Sequence, residues 1–102
     1  MRVIVRVHFP AESPGVWPIP DGYRPTCWIG RVRNGQKLYH DASLTWDAGL
    51  DQLERGSSAL ALLEPLRPEF WCSVKAGTEI ELSEGPIVVA TAVVQEVQQG
   101  SD

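Results

Sequence analysis

The chain has 102 residues and a formal net charge of -4, with 43% apolar residues, two cysteines and four tryptophans. That length suits one domain with a core of its own. The negative balance speaks against general nucleic-acid binding, which draws most of its affinity from cations on phosphates. No run reaches the roughly 18 apolar residues of a membrane helix, and charges at Arg2 and Arg6 interrupt any signal-peptide core near the start, so a cytoplasmic protein is expected.

Residues 2–9 alternate, with Val3, Val5, Val7 and Phe9 on one face and Arg2, Arg6 and His8 on the other, which predicts a half-buried strand ended by Pro10. Residues 10–22 hold Pro10, Pro14, Pro18, Pro20, Gly15 and Gly22, a composition that predicts a long, stiff loop carrying Trp17. A second strand is expected over 25–33, with Trp28 and Val32 on one face and Ile29 on the other. Asn34-Gly35 then signals a tight hairpin, since a type I′ turn needs positive φ at both positions. The partner strand is 36–46, carrying Leu38, His40, Leu44 and Trp46, with a bulge or bend expected at Asp41–Ser43.

Asp47-Ala48-Gly49 turns the chain, and residues 50–55 suit a single helical turn. A strand follows over 57–64, and Pro65 and Pro68 bracket a turn. Phe70, Cys72 and Val74 alternate as a further strand, and Thr78, Ile80 and Leu82 alternate with Glu79 and Glu81 as the next. Glu84-Gly85-Pro86 is a tight turn before a long valine-rich strand over 87–97, and residues 98–102 form a polar tail expected to lack order. Six or seven strands with frequent turn signals and no convincing helix predict one all-β domain over 1–97, a sandwich or a barrel.

Chemistry is sparse. Cys27 and Cys72 form no metal or redox spacing and are expected as two buried free thiols. His8 and His40 have no nucleophile or carboxylate at motif spacing. A metal held between them would lack ligands, and a small hydrolase built on either is the least favoured reading. Glu79 and Glu81 share the solvent face of one strand, which explains their spacing without catalysis. No phosphate-cradling glycine loop occurs. No catalytic residue, metal site or cofactor is therefore expected. Trp28 and Trp46 suit the core, whereas Trp17, in the loop, and Trp71, opposite in parity to Phe70 and Cys72, are candidates for an exposed platform.

Gly22-Tyr23-Arg24-Pro25 before an aromatic-rich strand resembles the third, C-terminal domain of elongation factor Tu and related translational GTPases. The similarity continues in order through Arg55-Gly56-Ser57, Gly77-Thr78-Glu79-Ile80-Glu81-Leu82, Glu84-Gly85 and Val88 to Val94, so it covers nearly the whole chain. The resemblance implies a closed six-stranded antiparallel barrel without the GTPase domain. It also implies docking of protein partners and contact with the backbone of aminoacyl-tRNA, with Arg24 and the Glu84-Gly85 turn on that surface. Two arginines of the family's turn are replaced here by Ser83 and by the Pro86-Ile87-Val88 run, which removes positive charge where phosphates would lie. The residues thus favour a non-enzymatic binding module with a protein partner, tRNA contact being the alternative that the net charge disfavours. Trp17, Tyr23, Arg24, Trp71, Glu84 and Gly85 are the candidate binding residues. Read without the resemblance, Gly22 supplies positive φ, Pro25 fixes the start of the strand, Tyr23 caps the barrel mouth and Arg24 bonds to loop carbonyls.

Overall fold

The computed structural model describes residues 1–15 and 17–99. Its strands are β1 (Arg2–Phe9), β2 (Ile19–Pro20), β3 (Thr26–Arg33), β4 (Gln36–Trp46), β5 (Gln52–Leu53), β6 (Ser57–Pro65), β7 (Glu79–Glu84) and β8 (Ile87–Gln98), with one 3-10 helix over Pro68–Trp71. Six of them close an antiparallel barrel in the order β1-β6-β4-β3-β7-β8, and β2 pairs with β5 as a separate two-stranded sheet. The expected all-β class and six-stranded closure are both present. Closure leaves no sheet edge around the barrel wall.

Period two drives the wall. Val3, Val5, Val7 and Phe9 of β1 all point inward and are fully buried, as are Leu44 and Leu63 on β4 and β6. Ala42, Ala61, Ala90 and Ala92 are buried among them, and small residues of this kind let the walls of a narrow barrel approach. Asn34 and Gly35 make the turn between β3 and β4 with φ of 53° and 76°, the pair of positive values a type I′ hairpin requires.

Several expectations need correction. Residues 70–74 are not a strand: Pro68 starts a 3-10 helix and Trp71 ends it, turned fully inward at 0% exposure. Trp71 is therefore a core residue and not a surface platform. The reason is that Trp71 and Val74, three apart, are the buried pair of this segment, so its period is helical. Residues 50–55 hold β5 rather than a helical turn, and the proline-rich loop contains its partner, β2. Two residues pairing with two leave no periodic signal to read.

The bulge lies in β3, not at Asp41–Ser43, which pair regularly with β3 and β6. Between the Trp28↔Tyr39 and Val32↔Lys37 pairs, three residues of β3 face only Leu38. Gly30, at φ 101°, absorbs the distortion. The indole of Trp28 donates to the carbonyl of Arg31 at 2.8 Å, satisfying a group the bulge removes from the ladder. Trp28 alternates with the buried Cys27 and Ile29, so it stands on the outer wall, half-buried rather than in the core, while Trp46 is buried as expected. Gln98 still belongs to β8, paired with Arg2, rather than opening a tail; residues 100–102 lie outside the described residues.

Pairing fixes two different ends. Phe9 and Ser57, and the β7–β8 turn at Glu84 and Ile87, define one. The β3–β4 hairpin and the 3-10 helix, where Phe70 stacks on His40, define the other.

Candidate functional site

The proline-rich loop folds back over the first of these ends. Ser13, buried, donates through Oγ to the carbonyl of Val89 at 2.7 Å and accepts from the amide of Gly15 at 3.1 Å. Arg55 donates to the Ser13 carbonyl at 3.4 Å. A Cβ on Gly15 would stand 3.3 Å from Ser13 Oγ, a tight contact, and in ordinary contact with Val89 and Phe9 at 3.4 and 3.5 Å. The chain then presents Trp17 with 73% of its surface exposed, although the residues on its C-terminal side are anchored. Ile19 is buried, and its carbonyl accepts the indole of Trp46 at 2.9 Å. Asp21 accepts the Trp46 amide at 2.7 Å, so the loop is tied to β4 at two points.

Gly22, at φ 80°, turns the chain into a backbone bridge between Tyr23 and Leu44. That turn aims the Tyr23 ring across the barrel mouth, where its hydroxyl donates to Glu84 Oε2 at 2.6 Å. Between the loop and the β7–β8 turn lies a groove of about 460 Å³, lined by Phe9, Trp17, Ile19, Tyr23, Glu84 and Val89 among others. Its walls are apolar and its one ionisable pair is Tyr23 with Glu84. Burial first, then the hydrogen bond to Glu84 and that carboxylate's charge, hold the Tyr23 phenol above its ordinary range. The phenol donates to Glu84 Oε2, and Oε1 of the same carboxylate accepts no hydrogen bond among the described residues.

The candidate residues thus separate. Trp17, Tyr23 and Glu84 line one groove, with Gly85 beside it in the turn at φ 57°. Arg24, the next residue after Tyr23, opens instead onto a different hollow of about 380 Å³ with Asp41, Ser43 and Glu64. Trp71 contributes only to the core. Sequence reasoning missed Phe9, Ile19 and Val89 as groove walls, because residues that alternate into a core carry no mark of which lie at its open end.

The other reactive groups are placed as follows. Cys27 is buried and Cys72 exposed, so the two are not both core thiols. Burial, and secondarily Asp41, push the Cys27 thiol up to about 12, which keeps it protonated and unreactive at neutral pH. His8 Nδ1 lies 3.0 Å from Ser58 Oγ on the outer surface. His40 stacks on Phe70 and lies 3.2 Å from Arg31. The two histidines stand on β1 and β4, which β6 separates, so they do not face one another. Among the described residues no group of three or more His, Cys, Asp or Glu side chains is placed to hold a metal ion.

No protein-family model matches the sequence, nor does any curated protein.

Proposed function

We propose that this chain is a non-enzymatic barrel module that binds a segment of another protein in the groove between the proline-rich loop and the β7–β8 turn. The observation that carries this reading is Trp17. A tryptophan that leaves 73% of its surface in water, on a loop anchored at both Ser13 and Ile19, is a preorganised apolar anchor. The groove beside it has apolar walls and the Glu84 carboxylate at its rim. An apolar side chain flanked by a lysine or arginine matches both features. The likeness to the elongation-factor barrel, a domain that docks on other proteins, agrees with recognition rather than catalysis.

Selection from a displayed peptide library tests the reading. The expected enrichment is for an aromatic or aliphatic residue within two positions of a basic one. Trp17→Ala should weaken the selected peptides about tenfold or more, as removal of an interface hot spot does, and Glu84→Gln should weaken mainly those with the basic residue. Peptides that bind both variants as well as the original chain would refute it.

A further inference from the structure

The charge of this chain is unevenly distributed. Between Gly22 and His40 stand Arg24, Arg31, Arg33 and Lys37, and no aspartate or glutamate; all 13 acidic residues lie elsewhere in the sequence. The fold concentrates this span into one projection. β3 pairs with β7 only over Thr26–Trp28, and β4 pairs with β6 only over Ala42–Trp46. Beyond those limits the two strands pair only with each other, among the described residues, so the hairpin leaves the barrel as a two-stranded ribbon.

The ribbon pairs rings with cations on both faces: Trp28, Tyr39 and Lys37 on one, Arg31 and His40 with Phe70 on the other. Trp28 and Tyr39 are paired on the outer wall, with Tyr39 43% exposed, and the Lys37 ammonium sits 4.2 Å from the centre of the Trp28 ring. At the ribbon base the Arg31 guanidinium lies 4.9 Å from the centre of the Phe70 ring, and His40 stacks on that ring at 5.1 Å. Arg33, beside the turn, is exposed and has no salt-bridge partner among the described residues. Carboxylates stand beside it too: Glu81 on β7 accepts from Lys37 at 3.0 Å, and Glu69, just before Phe70, lies 3.6 Å from Arg67. Asp41 lies at the ribbon base, opposite Thr26.

We propose that the β3–β4 ribbon is a binding element for single-stranded nucleic acid, its cations meeting phosphates and its exposed rings stacking bases. Cationic surfaces interleaved with aromatic faces are the common physical solution for holding a flexible strand without reading sequence. An acidic peptide would engage the cations alone and leave the rings idle. The overall negative charge of the chain does not oppose this, because screening confines attraction to about 8–10 Å at physiological salt. The surface lies at the barrel end opposite the groove and uses neither Arg24 nor the turn at residues 83–86, so it stands apart from the protein-binding reading.

Fluorescence anisotropy of the full chain with labelled 12-nucleotide RNA and DNA, each single-stranded and as duplex, tests it over a range of salt. Single strands should bind with affinity that falls as salt rises. The triple variant Arg31→Gln/Arg33→Gln/Lys37→Gln should flatten the log–log salt slope by about 2, at about 0.7 per phosphate contact. Glu81→Gln, which frees Lys37, should raise affinity about twofold, and Tyr39→Ala should lower it at unchanged salt slope, as loss of stacking alone does. Trp17→Ala and Glu84→Gln should bind the strand as the original chain does, which separates this test from that of the groove. No salt-dependent binding at low ionic strength, preference for duplex, or equal binding of inorganic polyphosphate would overturn the proposal. Retention of binding by a triple variant with an unchanged circular dichroism spectrum would do the same.

Discussion

Tyr23 Oη and Glu84 Oε2 are 2.6 Å apart although 61 positions separate the residues in the chain. The contact joins the end of the proline-rich loop to the end of β7, and so sets the width of the groove in front of Trp17. Glycine at position 22 makes it possible, since the backbone there adopts a positive φ that other residues reach only with strain.

Removing that hydroxyl should loosen the groove more than the barrel. Tyr23→Phe is expected to cost about 1 kcal/mol of stability in urea unfolding, the net value of one partly solvated hydrogen bond. Amide exchange should quicken around residues 20–24 and 84–88 while the β1 core amides stay protected. Uniform loss of protection across the barrel would mean that the contact supports the whole fold.

The buried thiol and the phenol give the protein an alkaline limit. Both Cys27, raised to about 12 from 9.0, and Tyr23, raised from 10.0, keep their protons in the folded chain at pH values where the unfolded chain has released them. The folded state binds more protons there, so stability falls as pH rises above 9, by at most about 1.4 kcal/mol per unit for each group. Cys27→Ala should remove the part that begins near pH 9, and Tyr23→Phe the part that begins near pH 10. Unfolding followed by denaturant at fixed pH values measures both.

His40 acts at the other end of the scale. Burial first and Arg31 second hold its imidazole below the ordinary 6.5, with Asp41 opposing them. The unfolded chain therefore takes up a proton that the folded chain refuses. Stability is full above pH 6.5 and falls as pH drops from there toward the lowered folded value. His40→Phe, which keeps the stack on Phe70, should flatten the stability curve below pH 6.5.

The two cysteines should be distinguishable by reagent. Cys72 is exposed and Cys27 buried, so a thiol-specific dye should label one site per native chain, and the second only in denaturant. Two rapid labels in the native protein would mean that β3 opens readily.

Trp71 offers a packing test. It is fully buried, and its indole nitrogen has no hydrogen-bond acceptor among the described residues. Trp71→Ala should cost about 3–5 kcal/mol through the cavity left behind. Trp71→Phe should cost much less, because it also removes a buried donor that lacks a partner. Thermal unfolding of the two variants orders them.

The strands of the barrel were legible in the sequence because each is long enough for alternation to repeat, as Val3, Val5, Val7 and Phe9 do. Asn34-Gly35 was legible for the same local reason, a turn chemistry with a single geometric solution. The 3-10 helix was misread because four residues give one repeat of its period, although Pro68 at its start and Glu69 in its first turn are the usual opening signals. Trp28 was misplaced because an apolar residue on a strand says nothing about which side of a barrel it faces. In the site, Trp17, Tyr23 and Glu84 were each named from the sequence. Their meeting in one groove was not readable, since it depends on strand register across the barrel mouth. Arg24 parted from them because successive residues of an extended chain point to opposite sides.

The groove is tested most directly by ¹⁵N-resolved NMR of the labelled chain titrated with a library-selected basic-aromatic peptide. The expected result is saturable shifts in the Trp17 indole and in the amides of Tyr23, Glu84 and Val89, with the indole of Trp28 at the far end unmoved. Saturable shifts centred on the β3–β4 ribbon, with the Trp17 indole unchanged, would contradict it.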